Sequence, residues 1–180
     1  MIRFLDIIIS IISLFLFLPF FIIFLIIEWL DTGAPLYIQK RVGLNLKTFN
    51  LIKFRTMKLG TKSRATHLIN KSNITAVGYF FRKFKIDEIP QLFNVLLGDM
   101  SIVGPRPCLM NQKKLIIERK KRGVFKVKPG ITGLAQLQGV NMSKPVLLSK
   151  IDSKMIKKEI GIKNYFKYTL LTVVLIIKQI

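Results

Sequence analysis

The chain has 180 residues, 30 of them Lys or Arg against 9 Asp or Glu, yet 51% of it is apolar. A formal charge of +21 combined with that apolar content excludes an extended disordered tail, which requires low hydrophobicity. One cysteine (Cys108) and one histidine (His67) exclude a disulfide framework, the usual Cys/His zinc sites and, since His67 sits in no recognisable motif, the common His-based triads.

Ile7 to Ile27 is a 21-residue apolar run broken only by Ser10, Ser13 and Pro19. As a straight helix it would be about 32 Å long, enough for a hydrocarbon core of roughly 30 Å. A cleaved signal peptide fits poorly, because Glu28-Trp29-Leu30-Asp31 stands where small residues should precede a cleavage site. Pro19 removes a backbone hydrogen bond near the middle of the run and predicts a kink. Two topologies fit: a single span, or a dip that turns at the proline and returns to the same face. Of the 30 basic residues, 29 lie beyond Glu28, which puts the body of the chain on the cytoplasmic side.

Pro35–Val42 and Thr48–Met57 lean towards strand and predict a hairpin. Residues 58–72 read as a polar, basic loop, and 74–84 as a short helix with an aromatic face. Glu88–Leu97 reads as a helix with Pro90 in its first turn and Gly98 just past its end. Leu109–Arg122 reads as a basic helix. From Lys154 onward an amphipathic stretch ends in ten apolar or weakly polar residues, Tyr168–Ile177. These are too few to span a bilayer, and either an interfacial helix or core packing accounts for them. No nucleic-acid-binding motif accompanies the charge, so nucleic acid is not an expected partner. Anionic inner-leaflet lipids, a phosphorylated substrate, or plain codon bias towards Lys accounts for it.

Chemistry concentrates at Asp87-Glu88. Asp87 falls where an N-cap would be, so free amides should keep its carboxylate ionised. Adjacent acids suit covalent and acid-base roles or Mg²⁺, although capping alone explains an Asp-Glu pair at a helix start. Pro105-Arg106-Pro107 locks an arginine between two prolines and can aim its guanidinium at a diphosphate. Lys128-Pro-Gly130-Ile-Thr132-Gly is a second rigid turn whose glycines allow close backbone approach. Cys108 reads as packed, His67 as solvated, Asp99 as a turn brace, and Trp29 and Tyr168 as interface anchors.

Three blocks in order, Lys53-Phe-Arg-Thr-Met57, Asp87 through Pro107, and Lys128 through Gly133, resemble the bacterial sugar transferase family, the small monotopic phosphoglycosyl transferases. The resemblance runs from about Arg3 to Asp152. It implies a Mg²⁺-dependent transfer of sugar phosphate from a UDP-sugar to undecaprenyl phosphate at the bacterial inner membrane. Asp87 would be the nucleophile and metal ligand, and Glu88 its assistant, handling the acceptor's proton. Arg106, Arg82 and Arg55 would bind phosphates or brace the site, and Lys128, Gly130 and Thr132 would lie at the substrate. The implied fold is α+β and helix-dominated, with a small hairpin, interfacial amphipathic helices and an N-terminal re-entrant helix kinked at Pro19. It divides into an anchor (1–30), a catalytic domain (31–153) and an interfacial segment (154–180). Leu18, Asn73, Lys85, Lys128, Leu134 and Val140 depart from the family's usual residues. A catalytically degenerate membrane-bound partner in a glycan-assembly complex is therefore the alternative.

Overall fold

A 31-residue helix, α1 (Ile2–Thr32), opens the computed structural model, which describes residues 1–61, 70–157 and 161–178. The expected turn at Pro19 is not a break: α1 stays helical through it. Gly33 closes the helix with φ 73, its N–H on the Trp29 carbonyl. Both flanks of α1 touch the body. Arg3 donates to the carbonyls of Val95 and Leu96. Asp6 accepts from the Ser101 hydroxyl, the Ile102 N–H and the Tyr165 hydroxyl. At the other flank Phe21 packs on Phe54 and Phe93, and Phe24 on Phe81. Between them Phe15, Leu16, Phe17, Leu18, Pro19 and Phe20 are all exposed. A turn takes 3.6 residues, so six exposed in a row leave this stretch uncovered on every side.

The hairpin is present as β1 (Leu36–Val42) and β2 (Thr48–Phe54), antiparallel with Leu36 opposite Phe54 and Val42 opposite Thr48. Strand alternation gives it two faces. Tyr37, Arg41 and Lys53 share one, while Val42 and Phe54 share the other, where Phe54 meets the phenylalanines of α1.

The loop expected at 58–72, with His67, lies largely outside the described residues. Beyond it Thr75 caps α2 (Ala76–Lys83) by accepting the Gly78 N–H at 2.9 Å. The helix expected at 88–97 is divided: a single tight turn, Ile86–Glu88, precedes α3 (Gln91–Leu97). Pro90 is the residue at the α3 N-cap, and Gly98 (φ 92) ends the helix. Asn94 ties α3 to β2, accepting the Ile52 N–H at 2.9 Å and donating to the Asn50 carbonyl at 2.7 Å.

The two glycine-proline blocks contain more than turns. β3 (Ser101–Val103) and β4 (Gly130–Thr132) pair in parallel, Ser101 beside Gly130 and Val103 beside Thr132. Between them the basic helix, α4, is shorter than expected (Lys113–Lys121). After β4 come α5 (Leu134–Leu137), α6 (Pro145–Lys157) and α7 (Ile162–Ile177). The anticipated boundary at 153/154 falls within α6.

Two clusters form the core. One joins Leu51, Val95, Met100, Val103, Met155 and Tyr165; the other joins Val42, Cys108, Leu115 and Leu148. Both readings of the C-terminal stretch describe part of α7. Tyr165 and Tyr168 enter the core, while Phe166, Leu170, Leu171, Leu175 and Ile177 are exposed. Tyr168 is thus a core residue and not an interface anchor, whereas Trp29 is 61% exposed. The molecule is helix-dominated, with two small two-stranded sheets and one helix long and apolar enough to cross a membrane among the described residues.

Candidate active site

Asp87 and Glu88 occupy the tight turn between α2 and α3, and both are buried. Lys85 starts that turn with φ 59, a left-handed conformation that costs a side-chain-bearing residue roughly 1–2 kcal/mol. Asp87 does not cap α3, contrary to the sequence expectation. Its carboxylate accepts no hydrogen bond and forms no ion pair among the described residues. Burial, then the charge of Glu88, pushes its pKa above the usual carboxylate range. Lys53, Lys85 and Arg106 oppose that rise without cancelling it.

Glu88 is the opposite case. Arg106 grips it with both terminal nitrogens, Nη2 to Oε1 at 2.6 Å and Nη1 to Oε2 at 3.2 Å. Burial works to raise Glu88, but the guanidinium, with Lys85 and Lys53, outweighs it and holds the carboxyl well below its usual range. Two adjacent acids therefore have divergent chemistry: one paired and firmly ionised, the other unpaired and easier to protonate.

Arg106 is itself fixed from behind. Arg119, 1% exposed, donates to the Arg106 carbonyl at 2.8 Å and pairs with the buried Asp152 at 2.8 Å. Pro105 and Pro107 set the chain on either side; the Pro105 carbonyl accepts the Gly130 N–H and the Pro107 carbonyl accepts from Arg41. Gly130 is a packing residue, since a Cβ there would lie 2.0 Å from the Gly104 nitrogen.

The other anticipated residues divide. Arg82 donates Nε to Thr56 Oγ1 at 2.7 Å and faces Asp87 electrostatically. Arg55 donates to the Ala34 carbonyl at 2.8 Å and lies 5.2 Å over the Tyr37 ring, bracing the hairpin against the end of α1. Thr132 spends its hydroxyl on Thr172 of α7. Lys128 reaches over Gly98 at the far end of α3, away from the dyad.

Sequence reasoning missed three cations. Lys53 is on the hairpin face turned to Asp87, and burial lowers its pKa to about 8. Arg41 lies by Arg106 and Glu88, and Lys85 by both acids. Strand alternation held the signal: Tyr37, Arg41 and Lys53 share a face once the register is known. No cluster of three or more metal-ligating side chains occurs among the described residues. An unpaired oxygen donor such as Asp87 suits Mg²⁺, which takes one or two carboxylates and completes its shell with substrate phosphates and water. The arrangement is a buried, unpaired carboxylate surrounded by positive charge.

Several known proteins are similar to this chain. An uncharacterised sugar transferase of Bacillus subtilis, EpsL, is 48% identical over 113 residues, 62% of this chain and 55% of that protein. A putative undecaprenyl-phosphate N-acetylgalactosaminyl 1-phosphate transferase of the same organism is 44% identical over 108 residues, 58% of this chain and 60% of that one. The undecaprenyl-phosphate galactose phosphotransferase of Salmonella typhimurium is 38% identical over 156 residues, 76% of this chain but 32% of that protein. The chain spans about half the length, or less, of several relatives it matches. The model of the bacterial sugar transferase family matches residues 1–179, and the chain belongs to that family.

Proposed function

We propose that the protein moves a sugar 1-phosphate from a UDP-sugar to undecaprenyl phosphate, through a covalent intermediate on Asp87, to begin assembly of a bacterial glycan. The observation that carries this reading is the buried, unpaired Asp87 carboxylate beside the Glu88–Arg106 fork. A carboxylate oxygen of Asp87 attacks the sugar-bearing phosphorus, the bond to the UMP phosphate breaks, and UMP leaves with the electron pair. A phosphate oxygen of the lipid then attacks the same phosphorus, releasing Asp87 and forming the lipid-linked diphosphate sugar. Arg106, Arg82 and Lys53 neutralise the equatorial oxygens in both steps. Asp87 would hold Mg²⁺, and the ion would supply charge shielding for the diphosphate.

We assign Glu88 a positioning role in place of the proton handling that the family resemblance implies. A carboxylate held well below its usual pKa is a poor proton acceptor near neutrality. It positions Arg106 and sharpens the nucleophile by placing negative charge next to Asp87. Undecaprenyl phosphate arrives ionised and needs no strong base.

The exposed run Phe15–Phe20, with both flanks of α1 seated on one body, supports a helix that dips into the inner leaflet of the cytoplasmic membrane and returns. In this reading the body, which carries 29 of the 30 basic residues, lies on the cytoplasmic face, its exposed lysines and arginines toward anionic headgroups.

The test is purified protein with Mg²⁺, undecaprenyl phosphate and a panel of UDP-sugars, reading UMP release. Acceptor-dependent release that disappears in Asp87→Ala is the expected result. Release that persists in Asp87→Ala would overturn the covalent step, and none from any donor would favour the degenerate partner.

A further inference from the structure

At the end of α3 opposite the dyad, two cations converge. A Cβ built on Gly98 would lie 3.5 Å from both Arg3 Nη2 and Lys128 Nζ. Arg3 spends its guanidinium on the carbonyls of Val95 and Leu96, as expected at the negative end of a helix. Lys128 makes no hydrogen bond and no ion pair among the described residues. Asp6 is close, but its Oδ1 is committed to three donors: Ser101 Oγ, the Ile102 N–H and the Tyr165 hydroxyl.

These residues border a cavity of about 380 Å³. Its remaining wall is largely apolar: Ile2, Val103, Val127 and Ile156. The cavity lies at the first turns of α1, and Asp6 on its rim is hydrogen-bonded to Tyr165 of α7. These are the two helices with long exposed apolar surfaces. A free cation at the edge of an apolar-walled cleft, at the first turns of one of those helices, recognises an amphiphile with one negative charge in its head.

We propose that this cleft holds an anionic glycerophospholipid of the surrounding leaflet, its phosphate diester on Lys128 and the root of an acyl chain along the apolar wall. The site is separate from the reacting centre: α3, about 10 Å long, stands between them. Its role is to key the start of α1 and the β3–β4 pair to the bilayer. The proposal rests on the membrane placement given above and is independent of the transfer chemistry.

The experiment follows thermal unfolding of the full chain in neutral detergent micelles. It titrates phosphatidylglycerol, with phosphatidylcholine and millimolar inorganic phosphate as comparison additives. Phosphatidylglycerol should raise Tm saturably, and the other two should not. Lys128→Gln and Lys128→Glu should weaken the half-saturation at least about tenfold, a loss of about 1.4 kcal/mol. Lys128→Arg should retain the response; the glutamine variant keeps the test readable if the glutamate variant fails to fold. An unchanged response in Lys128→Gln, or an equal Tm rise from inorganic phosphate alone, would overturn the lipid site. Flotation of the wild-type chain with phosphatidylcholine vesicles reads the membrane placement by itself, so the two failures are distinguishable.

Discussion

Asp87 and Glu88 are neighbours in sequence whose surroundings push their pKa values in opposite directions, and activity and stability should both register this. In the proposed transfer Asp87 attacks as the carboxylate, so kcat/KM should fall on acidification from a pH above the ordinary aspartate range. It should fall again as Lys53 loses its proton near 8, giving a bell-shaped profile. In Lys53→Arg the basic limb should move beyond the measurable range; a limb still near 8 would assign it to another group.

For stability, a folded-state pKa raised above the unfolded value means that ionised Asp87 destabilises the fold above that pKa. The penalty disappears as pH falls through it. Asp87→Asn should therefore be inactive and raise Tm by on the order of 2–6 °C near neutrality, with the gain vanishing in acid. Glu88 works the other way: its depressed pKa supplies stability at neutral pH that is lost as pH falls through the folded value. Arg106→Lys, which keeps charge but loses the two-point grip, should cost activity and narrow the separation of the two acids, read as a shifted acid limb.

At the scale of elements, the site depends on a buried prop. Arg119 holds Asp152 and the Arg106 carbonyl together, tying α4 and α6 to the proline-framed arginine. Removing one member of a buried ion pair leaves the other uncompensated, so Arg119→Met should cost about 3–5 kcal/mol in urea unfolding. Adding Asp152→Leu should restore much of that stability but not the activity, because the Arg106 carbonyl still lacks its donor.

The hairpin, α2 and the glycine closing α3 were legible from alternation, aromatic spacing and turn chemistry. The parallel β3–β4 pair was not. Three-residue strands carry no period, and this pair depends on backbone contact between Gly104 and Gly130, which no pattern of side chains encodes. The site residues divide the same way. Asp87, Glu88 and Arg106 were visible because they are clustered or framed by proline. Lys53 and Arg41 depend on strand register, and the approach of Lys128 to Gly98 at the end of α3 depends on packing between distant segments.

At the scale of the whole molecule, α1 and α7 each present exposed apolar side chains, and 29 of the 30 basic residues lie outside α1. If α1 dips and returns, position 4 and position 59 lie on the same side of the membrane. The single native cysteine, Cys108, is fully buried, so introduced cysteines can be read individually. Phe4→Cys and Leu59→Cys should both react with an impermeant thiol reagent in inverted vesicles and neither in intact cells. Labelling of position 4 from outside would instead mean a single crossing.

The hydrogen bond between Asp6 and Tyr165 joins residues 159 positions apart, and it imposes an order of events during synthesis. α1 can meet α3 and β3 before α7 is made, but its contact with Tyr165 closes only when α7 follows, roughly 8–30 s after α1 at 5–20 residues per second. Throughout that interval Asp6 lacks one of its three donors. The seating of α1 is therefore completed late, by closure of a clasp between α1 and α7. A release experiment with stalled chains lacking α7 should find α1 more open to proteolysis than in the full chain, and equal protection would mean that the earlier contacts suffice.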